Sequence, residues 1–237
     1  MDMTNNSKDM LRATISADIV SSTSLSIEEL TLLQSEIRRF LDELSQKSQG
    51  KDWGRLFKGD SVEIFLHDPH EALRVALLLK TLVKKTNIPK EKDDAKLELF
   101  RKYGVRLAIG VGEMRASDQK RDFLDGEAIY YSGRLLEKQK QNGNDRNLLS
   151  SSMCFGHKND SVTEFMSVVL DFLDVMFRDA TSRQCEIVYY RLWGKQEKEI
   201  AELLHVSQPA INKQCTAIGW NAINASLTYF EKLNFGQ

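Results

Sequence analysis

Hydrophobic and polar positions change their period several times along the 237 residues, and each change marks an element. Residues 12–20 read as a buried strand that ends in Asp18, Ile19 and a run of small hydroxyl residues, Ser21-Ser22-Thr23. Ser26-Ile27-Glu28-Glu29 then offers a capping box, and Leu30, Leu33, Ile37, Phe40, Leu41 and Leu44 follow at helical spacing, which predicts a helix over 27–48. Two short apolar runs, 52–58 and 61–66, are joined by Lys58-Gly59-Asp60-Ser61 and predict a hairpin. Asp68-Pro69 opens a second helix, with Ala72, Val75, Ala76, Leu79 and Val83 facing inward. Residues 87–98 read as charged and irregular, with a turn near Pro89. Residues 103–112 predict a strand with Val105, Leu107, Ile109 and Val111 on one face, and 113–125 a polar loop. A helix over 126–141, closed by Asn142-Gly143-Asn144, and a short strand over 148–154 complete this part.

The order βαββαβ, followed by a further helix, predicts an α+β fold: a ferredoxin-like sheet with its helices on one face. Roughly 150 residues are enough for such a module to bury its own core. The pattern then changes. From Ser161 onward no strand is evident, and Val162, Phe165, Met166, Val169, Leu170, Leu173 and Met176 form an apolar stripe on one helix. A boundary near 155–160 therefore divides the chain into a sheet domain, 1–155, and an all-α domain, 160–237.

Within the second domain, residues 196–217 have the grammar of a helix-turn-helix. Ile200, Ala201 and Leu204 face inward, Val206 packs in from the turn, Ser207 caps the second helix and Pro209 sits in its first turn. Gln208, Asn212 and Lys213 then face outward, with side chains able to read base edges or meet phosphate. The stretch resembles the helix-turn-helix of sigma-factor region 4 and of response-regulator output domains, through Arg183-Gln184, Glu186-Ile187, Glu199-Ile200-Ala201, Leu204 and Val206-Ser207. The tail, Trp220 to Phe235, keeps helical spacing at Ile223, Leu227 and Phe230.

Charge narrows the functional classes. A net charge of -1 supplies no global basic field for nucleic acid or anionic membrane. The three cysteines, Cys154, Cys185 and Cys215, are too far apart for a zinc site or a disulfide framework. No signal core or membrane-length apolar run is evident, so a cytoplasmic protein is expected. The most pointed chemistry is the pair of aspartates. Asp18 at the end of one strand and Asp60 at the hairpin would lie side by side, and two close carboxylates invite a cation or a shared proton. With the Ile19 carbonyl they suit a hard divalent metal such as Mg or Mn, and no other cofactor is expected.

These same residues carry a resemblance. Ala17-Asp18-Ile19-Val20-Ser21-Ser22-Thr23, Gly59-Asp60-Ser61-Val62, Val105 to Glu113 and Gly126 to Leu135 are similar to successive motifs of class III nucleotidyl cyclases over about residues 13–140. The resemblance implies Asp18, Ile19 and Asp60 as metal ligands, Arg134 as a nucleotide-binding arginine, and a homodimer. The chain departs from the pattern where Tyr130 replaces an asparagine and Leu56 replaces the base-reading lysine. The full layout, with the helix-turn-helix behind the cyclase-like module, resembles the SatD family. The leading expectation is a dimeric, non-catalytic DNA-binding regulator, with the cyclase-like module as sensor or dimerisation unit. The alternatives are a nucleotide-processing enzyme using Asp18 and Asp60, and a protein-interaction scaffold.

Overall fold

A computed structural model of the chain describes residues 11–86, 95–142 and 151–236. The strands are β1 (Leu11–Ile19), β2 (Trp53–Phe57), β3 (Ser61–Leu66), β4 (Val105–Asp118), β5 (Phe123–Gly126) and β6 (Met153–Gly156). The helices are α1 (Ile27–Lys47), α2 (Ala72–Lys85), α3 (Ala95–Tyr103), α4 (Glu127–Asn142), α5 (Asp160–Arg178), α6 (Ser182–Leu192), α7 (Glu197–Leu203), α8 (Gln208–Ala217) and α9 (Trp220–Phe230). The protein is thus a mixed helix-and-sheet fold.

The sheet runs β2-β3-β1-β4. Its neighbours in that path are antiparallel, and β6 lies parallel to β4. Side chains alternate across a strand, and β1 uses both faces. Ala13, Ile15, Ala17 and Ile19 are buried in the core beneath α1 and α2. Thr14 and Ser16 point the other way, and both hydroxyls hydrogen-bond the Ser132 hydroxyl of α4, at 2.9 and 2.8 Å. Helices therefore cover both faces of the sheet, where the sequence predicts one covered face. Gly110 on β4 makes this possible: a Cβ there would sit 2.1 Å from the Ala128 carbonyl of α4. The backbone of α4 lies directly on the strand because no side chain intervenes.

The capping box at Ser26 and Glu29 forms as the sequence predicts, and α1 buries Leu33, Ile37, Phe40, Leu41 and Leu44. Three expectations change. First, α3 is a helix where 95–98 reads as irregular, burying Leu97, Phe100 and Tyr103. Second, β4 continues to Asp118 and pairs with β5 across residues that read as a polar loop. Its outer half carries charge because that ribbon stands largely in solvent. Third, Val206 in the turn between α7 and α8 is exposed rather than inward, and the Ser207 side chain makes no capping hydrogen bond. The turn near Pro89, the closure at Asn142-Gly143-Asn144 and residues 148–150 of the expected last strand fall outside the described residues.

The helical segment does not stand apart from the sheet. One apolar core runs from Ala13 through α2, α5 and α6 to Phe235. At its centre α2 is buried nearly all round, its polar Lys80, Thr81 and Lys84 included. Lys80 of α2 reaches Asp174 of α5 at 3.1 Å and the Val105 carbonyl at 3.2 Å, and it hydrogen-bonds the Ser152 hydroxyl. Asp174 also accepts the Ser152 N–H at 2.9 Å. Burial pulls the Lys80 ammonium down. Burial alone would raise the Asp174 carboxyl, but Lys80 and Ser152 outweigh it and hold Asp174 below the usual carboxylate range.

Candidate functional site

The two aspartates arrive at one end of adjacent strands, as the sequence predicts. Asp18 pairs in register with Ser61, the residue after Asp60. The Ile19 N–H donates to the Asp60 carbonyl at 3.0 Å, which ties the hairpin turn to the end of β1. Lys58 and Gly59 take positive φ to make that tight connection, and Gln34 of α1 donates to the Gly59 carbonyl at 2.7 Å. Asp60 accepts the Ser22 hydroxyl at 2.7 Å, so the run of small residues after β1 serves the hairpin acid.

Two cations that sequence reasoning missed occupy Asp18. Arg106 sits opposite it in the β1–β4 register and donates to Asp18 Oδ2 at 2.9 Å. Lys140, in the last turn of α4, lies 3.4 Å from Asp18 Oδ1. The signal for Arg106 was legible: it is the one charge between Val105 and Val111, a polar interruption in a buried strand. Lys140 could not be found without knowing that α4 crosses the β1 face.

Arg134 is not brought to this end. α4 meets the sheet through Ala128, Ser132, Leu136 and Gln139, all buried. Arg134 follows Ser132 by two residues, about 200° round the helix, and therefore points away. Its guanidinium lies 5.7 Å from the centroid of the Tyr130 ring, within cation–π range, along a shallow surface groove with Ile129 and Gly133. The acids and Arg134 thus occupy different faces of one chain.

The arrangement does not fit a divalent metal. The donor set is two carboxylates and the Ile19 carbonyl, with one carboxylate hydroxyl-bound and the other already facing an arginine and a lysine. A dication there would meet two positive charges at contact range. Among the described residues no group of three His, Cys, Asp or Glu side chains could hold a metal ion.

No family model matches the chain, and no curated protein matches it. Solved structures do. A bacterial light-regulated adenylyl cyclase is 19% identical with a TM-score of 0.38, over 62% of this chain and 43% of its own. A second structure of a bacterial light-regulated adenylyl cyclase is 18% identical with a TM-score of 0.39, over 62% and 42%. The guanylyl cyclase Cya2 is 13% identical with a TM-score of 0.35, over 54% and 70%. This chain spans less than half the length of the light-regulated cyclases it matches.

The expectation of a DNA-binding regulator is corrected. The structures named above carry the names of nucleotide cyclases. The surface gives a physical reason. From 197 to 217 there are three glutamates against two lysines, so the unit carries no net positive charge with which to displace counterions from phosphate. Gln208, Asn212 and Lys213 are exposed on α8, but Asn212 already donates to Glu197 of α7 at 3.3 Å. Among the described residues no helix is long and apolar enough to cross a membrane.

Proposed function

We propose that this chain is a nucleotide-binding protein of the nucleotidyl cyclase-like type, taking a nucleoside triphosphate at the end of β1 and the β2–β3 hairpin. The observation that carries this reading is the Asp18 carboxylate held between Arg106 and Lys140 beside Asp60. Arg106 and Lys140 are cations kept in place by their own acid and still partly open to solvent. A phosphate entering there accepts charge-assisted hydrogen bonds from groups already in position, and Lys140 can turn from Asp18 to the ligand without leaving an unpaired charge. Arg134, on the outer face of α4, serves a ligand only if a second copy presents it, so the site is completed in a homodimer.

Catalysis is not part of this proposal. Tyr130 stands where the resemblance calls for a transition-state donor, and loss of one such donor typically costs ~2.7–4 kcal/mol. On the order of the sequence motifs we also propose a ferredoxin-like first domain, a helix-turn-helix unit in the second, and membership of the SatD family. The test is equilibrium binding of fluorescent ATP and GTP analogues in EDTA. Micromolar binding that Lys140→Ala weakens at least ~10-fold supports the reading. Absence of binding at millimolar nucleotide, with or without Mg²⁺ or Mn²⁺, overturns it.

A further inference from the structure

Helix α5 buries one face and leaves another bare. Met166, Leu170, Leu173 and Phe177 sit in the core. Phe165, Val168 and Val175 are about half exposed, and Phe172 is 70% exposed. The sequence places Phe165 on the inward stripe, and the structure moves it out. These four residues recur at spacings of three, four and three, the seam of a helix that meets another helix. The ring of Tyr229 on α9, also about half exposed, lies 5.0 Å from that of Phe165, so the apolar surface continues onto a second helix. Single exposed apolar residues are ordinary, but a contiguous stripe is not. With an aromatic side chain taken at ~200 Å², the five residues present on the order of 500 Å², near the upper range for the largest patch on a monomer.

We infer that this seam is an interface between two copies of the chain, with α5 packed antiparallel on α5 of the partner subunit about a two-fold axis midway between Val168 and Phe172. The seam is complementary to its own reverse. Antiparallel pairing sets Phe165 against Val175 of the partner subunit and Val168 against Phe172 of the partner subunit, so each layer joins one aromatic to one β-branched residue. The row beside the seam carries Glu164 near one end and Arg178 at the other. Reversal brings Glu164 opposite Arg178 of the partner subunit, twice over. In a parallel pair these charges would lie on the order of 20 Å apart. The paired seams remove on the order of 1,000 Å² of apolar surface. With a polar rim this approaches the ~1,600 Å² typical of stable complexes. One contact opposes the pairing: Asp171 meets its own copy across the axis, at the exposed rim where such repulsion is small.

The nucleotide reading also calls for a second copy, but the seam is argued from α5 and α9 alone and is tested without ligand. Sedimentation equilibrium of the full chain over a concentration series is expected to show a reversible dimer. Phe172→Glu is expected to weaken it ~100-fold or more, by placing a charge in the seam, with the far-UV circular dichroism spectrum of the chain unchanged because Phe172 is 70% exposed within its own chain. Asp171→Asn is expected to tighten the dimer ~2–5-fold by relieving the contact at the axis. Glu164→Arg should weaken it by a similar factor, and adding Arg178→Glu should restore it. That charge exchange decides the matter even if Phe172→Glu folds poorly. A wild-type monomer at every concentration, a Phe172→Glu dimer of native affinity, or a charge exchange that restores nothing would each overturn the inference.

Discussion

Asp174 and Asp18 are both carboxylates held by the chain's own cations, yet they lie in opposite surroundings. Asp174 meets Lys80 where their side chains are 4% and 0% exposed, with Ser152 and the Val105 carbonyl satisfying the remaining polar groups. Asp18 meets Arg106 and Lys140 at 10%, 18% and 32% exposure, at the open end of the sheet. The first pair is sealed between α2 and α5 and can only hold the sheet and the helical segment together. The second can exchange partners with something arriving from solvent. The same chemical pairing therefore becomes structure or site according to whether water reaches it.

The largest expected effect is at the sealed pair. Asp174→Ala leaves Lys80 buried without its counter-charge and should cost ~3–5 kcal/mol in chemical denaturation. Lys80→Met with Asp174→Leu removes both charges and should recover most of that loss. Recovery separates a desolvation cost from a packing cost. At the open pair, Asp18→Ala should cost only ~1–2 kcal/mol, because Arg106 and Lys140 can turn to water. Equal losses at Asp18 and Asp174 would erase the distinction between them. Acid gives a further contrast. The folded Asp174 carboxyl lies below its ordinary value, so its contribution is full above about pH 4 and is lost as pH falls through the folded value. The Lys80→Met, Asp174→Leu chain should lack this acid loss when stability is followed from pH 6 down to pH 2. The smallest stability effect is at Lys140→Ala, expected below ~1 kcal/mol in the melt.

Features set by neighbouring residues were legible in the sequence, and those set by distant ones were not. The β1 strand, the Ser26 cap, the hairpin acid and the helices α7 to α9 are local features, set by residues that stand near each other in the chain. The Asp18 neighbours are not local: Arg106 is 88 residues away and Lys140 further still. Their meeting depends on α4 lying across the hydroxyl face of β1, which follows from Gly110 and Ser132 together and from neither alone. The seam on α5 was misread for a related reason. An apolar stripe wider than one face looks like a single inward surface until the core shows which part it uses. Helices α7 and α8 were legible from their spacing, but the charge around them does not support the partner that the pattern suggested.

The central claim is that nucleotide is held by Arg106 and Lys140 rather than by a metal between Asp18 and Asp60. Its most direct measurement is titration calorimetry of ATP and GTP into the wild-type chain and into Lys140→Ala, in EDTA and again with Mg²⁺. Binding in EDTA that changes little with Mg²⁺, and that Lys140→Ala weakens at least ~10-fold, is the predicted result. Binding that appears only with Mg²⁺, is abolished by Asp18→Ala and is indifferent to Lys140→Ala would contradict it.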